Sequence, residues 1–177
     1  LRGLPGTIAT LIRVPAHLDR AIETALGGQL QDIVAERWDD AQAAIEWLKR
    51  QRAGRATFLP LDTLDPPAVL DVPGGDGVIG VASELVEYAA RYRPAVVLLL
   101  GRTAIAQSLN AARELYRKLH GSFRIVTLEG EIVRSGGAVT GGEERQSQNQ
   151  GGSLLARARE RRELPERINA LEAEIKA

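Results

Sequence analysis

The sequence predicts an α/β fold of two similar lobes with mixed sheets, followed by a C-terminal coiled-coil stub. Three observations carry that prediction. Short β-rich runs alternate with runs at helical spacing from the N-terminus to residue 142. The outline of the first half recurs in the second. After residue 153 the pattern changes to a charged stretch with sparse, regularly spaced apolar residues. With 177 residues and 44% hydrophobic content, the chain is large enough to bury a core.

Residues 7–14 (TIATLIRV) are rich in β-branched side chains and predict a strand. Pro15 suits the first turn of a helix, in which Leu18, Ala21, Ile22, Ala25 and Leu26 recur at helical spacing until Gly27 and Gly28 stop it. Residues 31–36 predict a short strand. Asp39, with Gln42 three residues on, predicts a capping box for a helix whose buried stripe is Ala41, Ala44, Ile45 and Leu48. Gly54 ends that helix and residues 56–61 predict a strand. Residues 62–77, rich in Asp, Pro and Gly, form a connecting loop. A helix over 83–93 and a buried strand over 95–100 come next. A strand over 103–107, a helix capped by Ser108 or Asn110 with Ala112, Leu115, Tyr116 and Leu119 as its stripe, and a strand over 123–128 complete the second half. A hairpin strand leads into the glycine-rich stretch 136–142.

The boundaries follow. A domain spans 1–142, with one lobe at about 1–65, a linker at 62–77 and a second lobe at 78–142. Residues 143–153 carry no large apolar side chain and read as an exposed linker. Residues 154–177 read as the start of a coiled-coil arm, with Leu164, Ile168, Leu171 and Ile175 as the seam. Pro165 belongs in a first helical turn, so the firm helix is expected to begin there. About two heptads need a partner helix.

Composition excludes several functions. Formal net charge is zero, which argues against a globally basic nucleic-acid binder and leaves local patches open. Without cysteine there are neither disulfides nor thiolate metal sites. The longest apolar run, 95–100, is far too short to span a bilayer, and no signal-peptide pattern opens the chain. Methionine is absent even at position 1, so the chain is expected to be a piece of a longer polypeptide.

The most informative stretch is Gly136-Gly137-Ala138-Val139-Thr140-Gly141-Gly142. Ordered glycines cost backbone entropy, so four in seven residues imply positive φ or the close approach of another backbone. Three readings stand: a tight turn, a phosphate cradle, or contact with a second chain. The cradle lacks a Gly-Lys-Ser/Thr ending and is followed by Glu143-Glu144, which repel phosphate. Contact with a second chain through a strand edge is favoured.

Two basic clusters are candidate phosphate contacts: Arg157, Arg159, Arg161 and Arg162, and Lys49, Arg50, Arg52 and Arg55. Solvated helix surface is the plain alternative for both. His17 and His120 have no acid at metal spacing, and no metal or cofactor is expected. Ser83, Ser108 and Ser135 lie outside any nucleophile-elbow pattern, and the residues of this chain suggest no catalysis. Trp38, Trp47 and Phe58 read as core or packing residues.

Seven motifs in register carry a resemblance that runs from about residue 3 to residue 155. They are Gly3-x-x-Gly6; Ala25-Leu26-Gly27-Gly28-x-Leu30-Gln31; Asp40-Ala41-x-x-x-Ile45-x-x-Leu48-Lys49; Gly54-Arg55-Ala56-Thr57-Phe58-Leu59-Pro60-Leu61; Leu100-Gly101; Arg124-Ile125-Val126-Thr127-Leu128-Glu129-Gly130; and the 136–142 stretch. Together they resemble the hinge domain of structural maintenance of chromosomes (SMC) proteins. The resemblance implies a homodimerising hinge at the end of a long antiparallel coiled coil, opposite ATPase heads that this stretch does not contain. It implies dimerisation through strand edges and the glycines of 136–142, with weak, sequence-independent DNA binding near the neck. It also implies a cytoplasmic, chromosome-associated protein whose other complex subunits bind elsewhere.

Overall fold

The structure, a computed structural model, describes residues 2–142 and 153–176. Most of the linker expected at 143–153 therefore lies outside the described residues. The first half runs β1 (Gly6–Thr7), α1 (Ile8–Leu11), β2 (Ile12–Arg13), a 3-10 turn, α2 (Asp19–Leu26), a second 3-10 turn (Gly27–Gln31), β3 (Ile33–Ala35), α3 (Trp38–Gln51) and β4 (Phe58–Pro60). The second half repeats the order: β5 (Val78–Val81), α4 (Ala82–Leu85), β6 (Glu87–Tyr88), a 3-10 turn, α5 (Arg93–Leu100), β7 (Thr103–Ala106), α6 (Leu109–Tyr116) and β8 (Arg124–Thr127). It then adds a hairpin, β9 (Ile132–Arg134) and β10 (Val139–Thr140), before the long helix α7 (Leu154–Lys176).

Sheet topology repeats as well. In the first sheet β3 pairs antiparallel with β1 and parallel with β4. In the second β7 pairs antiparallel with β5 and parallel with β8, and the hairpin extends the row to β10. The halves meet through β2 and β6, which pair antiparallel with Ile12 opposite Tyr88 and Arg13 opposite Glu87. The larger core cluster draws on both halves: Ile8, Ile12, Ile22 and Val34 pack in it with Ala82, Val86, Leu100 and Ile105. A smaller cluster holds α6 on the second sheet through Ala104, Ala112, Leu115, Ile125 and Val133, and takes Leu70 from the connecting loop.

Four sequence expectations are corrected. Residues 7–14 are not one strand: the Thr7 N–H donates to Thr10 Oγ1 at 3.0 Å, and this capping box starts the single turn α1 between two-residue strands. The run 83–93 is not one helix, because Glu87 and Tyr88 leave it to pair with β2. Residues 95–100 form a helix rather than a strand. Pro94 lies in its first turn, and Ala95, Val96, Val97, Leu99 and Leu100 are buried around its circumference, so no apolar period marked it. The Asp39 cap is the fourth. The helix starts at Trp38, whose backbone N–H donates to Asp62 Oδ1 at 2.8 Å, so a residue beyond β4 caps α3 while Gln42 Nε2 donates to Glu46 Oε1.

Pro165, expected in a first turn, lies inside α7. Upstream turns hold their helical form because they are docked on the first half, as described below. At the other helix terminus of note, Arg52 closes α3 in the left-handed region at φ 50°, with the Ala53 N–H reaching Leu48 O at 3.0 Å.

Ser83 is 1% exposed, and its Oγ has no hydrogen-bond partner among the described residues. A buried hydroxyl without a partner carries a desolvation cost. Ser83→Ala is therefore expected to raise unfolding free energy by about 1 kcal/mol, read from urea midpoints at unchanged m-value. An unchanged or lower midpoint would show that the hydroxyl is satisfied in solution.

Candidate functional site

The 136–142 stretch divides into a turn and an edge strand. The Gly137 N–H donates to Arg134 O at 2.8 Å and the Arg134 N–H to Ala138 O at 2.9 Å, closing a tight turn in which Gly137 takes φ 88°. Local geometry thus accounts for Gly137. Gly136 has neither positive φ nor any atom within 4 Å of where a Cβ would stand. Nothing within the chain requires it to be glycine.

Val139 and Thr140 pair with Val133 and Ile132, which makes β10 the terminal strand of its sheet. All seven residues of the stretch are exposed, and Val139 is 61% exposed. Val139 and Val133 line an apolar hollow with Leu109 and Tyr116 of α6. On the other side Thr140, Gly141 and Gly142 line a polar groove whose far wall is Arg20, Glu23 and Thr24 of α2.

Helix α7 begins as part of the body. The Ser153 hydroxyl donates to Glu23 and accepts from the Ala156 N–H at 3.0 Å, while the Leu155 N–H donates to Glu23 Oε1 at 3.1 Å. Leu155 is buried in the larger core cluster. Arg159 forms a bidentate pair with Asp19, at 2.9 and 2.7 Å, and donates to Val14 O at 2.7 Å. Arg162 donates to Thr10 O and Ile12 O at 2.9 and 2.8 Å. The Asp19 hydrogen bonds hold the Arg159 pKa above its ordinary value, whereas burial, with Arg13 and Arg159 nearby, lowers that of Arg162.

The four neck arginines are thus not equivalent. Arg159 and Arg162 are spent on holding α7 against α1 and α2, and their hydrogen-bonding edges face the protein. Arg157 and Arg161 are exposed and line a groove with Thr10 and Gln31. Gln31 also lines a shallow hollow with Arg55, so the 3-10 turn Gly27–Gln31 stands between the neck and one member of the second cluster. Lys49, Arg50, Arg52 and Arg55 are all exposed at and beyond the end of α3. Asp32 lies in the same hollow as Arg55, and partial burial raises its carboxyl pKa.

The residues expected as a seam lie beyond Arg162 on α7. Leu164, Ile168 and Leu171 are 44%, 50% and 58% exposed along α7, and the side chain of Ile175 lies outside the described residues. Trp38 and Trp47, expected as core or packing residues, are exposed, because the buried side of α3 is taken by Ala41 and Ala44; Ile45, expected in the stripe, is 40% exposed. Sequence reading missed Asp19 and Glu23, the acceptors that seat α7. Their only signal was an acidic pair four residues apart on one helix. Among the described residues no group of three His, Asp or Glu is placed to hold a metal.

Removing the bidentate pair tests the neck. Arg159→Ala is expected to lower stability by about 1–2 kcal/mol, limited by partial exposure of the pair. It should also speed amide exchange across 154–162. Unchanged exchange there would show that Leu155 and Glu23 suffice to seat the helix.

The flexible hinge domain model of SMC proteins matches residues 1–116. The chromosome partition protein Smc of Halothermothrix orenii is 37% identical over 176 residues, covering 97% of this chain and 15% of that protein. The chain therefore spans about 15% of the length of such a relative. A crystal structure of an asymmetric dimer of the Geobacillus stearothermophilus SMC hinge domain superposes with a TM-score of 0.84 at 41% identity, covering 98% of this chain and 70% of that one. The Pyrococcus furiosus Smc hinge domain with an extended coiled coil gives 0.69 at 35% identity, covering 99% and 62%. With more than half its length matched by the family model and its fold shared with these hinges, the chain belongs to the SMC flexible hinge domain family.

Proposed function

We propose that this chain is the homodimerisation hinge of a chromosome-partition SMC protein, joining two coiled-coil arms and adding weak, sequence-independent DNA contacts near the neck. The open edge of β10, with Val139 exposed and the glycines on either side, carries the reading. Missing side chains let a second backbone approach, and an unpaired edge offers it a ladder. Gly136, Gly137, Ala138, Val139, Thr140, Gly141 and Gly142 are the contact segment. The first sheet ends in β4, the counterpart of β8 but without the added hairpin. Two copies related by a two-fold axis could join β10 of each to β4 of the other, covering both edges at once. The dimer described for the Geobacillus stearothermophilus hinge supports self-association.

In this reading the two lobes are about 1–65 and about 78–142, with about 62–77 as linker, 143–153 as the connection to the arm, and 154–177 as the start of the returning arm. Leu164, Ile168 and Leu171, with Ile175 continuing the same spacing, are the seam for the other arm helix. The fragment performs no catalysis itself; ATP hydrolysis and the remaining complex subunits belong to other parts of the whole protein, which works on the chromosome in the cytoplasm. Arg157 and Arg161, with Lys49, Arg50, Arg52 and Arg55, supply the phosphate contacts.

Light scattering across a dilution series tests the dimer. The parent chain is expected to remain dimeric, while Val139→Asp, which places a charge in the contact, should weaken association by roughly tenfold or more. A monomeric parent would overturn the reading; a variant as dimeric as the parent would move the contact off β10. DNA retention is tested separately with Arg157→Glu/Arg161→Glu. That pair should weaken duplex binding and flatten the log–log salt slope by about 0.9 per lost contact, leaving the dimer intact. An unchanged slope would remove the neck from the DNA surface.

A further inference from the structure

Helix α3 carries large apolar side chains that its own lobe does not cover. Trp38 is 56% exposed and Ile45 40%. Seven residues make two helical turns less about 20°, so the two share one flank of the helix, beside the buried Ala41 and Ala44. Trp47, two residues beyond Ile45, lies on the opposite flank. Aligned on buried residues, with Ala41 and Ala44 matching Ala112 and Leu115, α3 places Trp38 and Ile45 where α6 has Leu109 and Tyr116.

The second repeat shows what that flank does. There Leu109 and Tyr116 wall a hollow that also takes Val133 of β9 and Val139 of β10, so the flank looks past β8 over the hairpin. Both helices join parallel strands, β3 to β4 and β7 to β8, and such crossovers are right-handed. The matching flank of α3 therefore looks past β4. No hairpin follows there, since β4 is the last strand of its sheet. Trp38 and Ile45 thus overhang an open edge, while the hollow stands open beside β10, with Leu109 41% exposed and Val139 bare. The charges match as well. Arg113, which has no ion pair among the described residues, and Arg117 rim the hollow. Asp39 follows Trp38, and Asp62 accepts the Trp38 backbone N–H at 2.8 Å.

We propose that Trp38 and Ile45 of one copy close the apolar hollow of a second copy, with Trp38 as the anchor of the contact. This contact rests on the β10-to-β4 dimer of the proposed function and supplies its side-chain core. With α6 and the partner subunit's α3 on one face of the joined sheet, right-handed crossovers make β10 and β4 antiparallel. The start of α3 then lies by the 135–137 turn, so Trp38 meets Tyr116 and Val139 while Ile45 meets Leu109. Gly136 belongs to that turn, and without a Cβ it leaves room for an indole. Acids beside Trp38 come to face the arginine rim, and a two-fold axis forms the whole contact twice. An indole buried inside a polar rim is the usual make-up of a binding hot spot.

Because Trp38 is exposed in the single chain, its replacement leaves both core clusters intact. Dimer dissociation is read by light scattering on dilution and by subunit exchange between labelled chains. Trp38→Ser should weaken the dimer roughly tenfold or more, and Trp38→Phe, which keeps a ring, roughly threefold or less. Trp47→Ser, on the far flank, should dimerise as the parent does. Leu109→Ser should also weaken it, and the double variant Trp38→Ser/Leu109→Ser should lose less than the product of the two single losses. In Trp47→Phe the sole indole is Trp38, whose emission should shift to the red as dilution splits the dimer. A dimeric parent whose Trp38→Ser variant dissociates no more readily, or whose Trp47→Ser variant weakens as much, overturns this contact and leaves β10 pairing in place. A monomeric parent overturns the dimer itself, and the contact with it.

Discussion

The four-residue ladder between β2 and β6 and the core beneath it set the geometry of everything else. Ile12 is 1% exposed and packs in a cluster that takes side chains from both repeats. Arg13 opposite Glu87 adds a cross-strand pair of opposite charge. Each repeat alone would leave the apolar side of its short helix in water: Ile8 of α1 and Ala82 of α4 are buried in the same cluster. Burial of each large aliphatic side chain in that cluster contributes about 1.5–3 kcal/mol, which outweighs what a two-residue strand pair can supply. The ladder therefore sets register while the shared core holds the halves together.

The repeats diverge where the arm attaches. Helix α2 begins with Asp19 and carries Glu23 one turn on, and both accept hydrogen bonds from the start of α7. The corresponding places in α5 are Arg93 and Val97, and α5 is buried on nearly every side. One copy of the unit has thus kept a polar face for a helix to dock on, and the other has become core. The outer side of α2 continues the connection, since Arg20 and Thr24 line the groove that ends at Gly141 and Gly142. One eight-residue helix consequently touches the neck and faces the end of the edge strand across a groove.

The sheets diverge in the same way. The second is longer by the hairpin β9 and β10, which moves its edge away from the body and leaves Val139 uncovered. Basic side chains are divided between two jobs. Arg159 and Arg162 are drawn inward by carbonyls and a carboxylate, whereas Arg157, Arg161 and the cluster ending α3 are exposed residues. Net charge of zero is therefore compatible with local positive surface.

By itself the sequence determined the alternation of strands and helices, the repeat, the glycine-rich edge, the C-terminal helix and, through seven motifs, the family. Those features depend on neighbours close in the chain: Ser108 caps α6 through the Ala111 N–H, and Leu164, Ile168 and Leu171 are spaced along one helix. Only the tertiary structure decided the rest, because the deciding partner lies far away in sequence. Glu87 and Tyr88 look helical until β2 offers them a ladder, and residues 95–100 look like a strand because burial on all sides erases the helical period. Asp62 caps α3 from 24 residues away, a separation over which no local propensity acts. Arg159 and Arg161 cannot be told apart by composition or spacing. Arg159 meets Asp19, 140 residues earlier, while Arg161, two residues on and on the opposite side of the helix, is exposed.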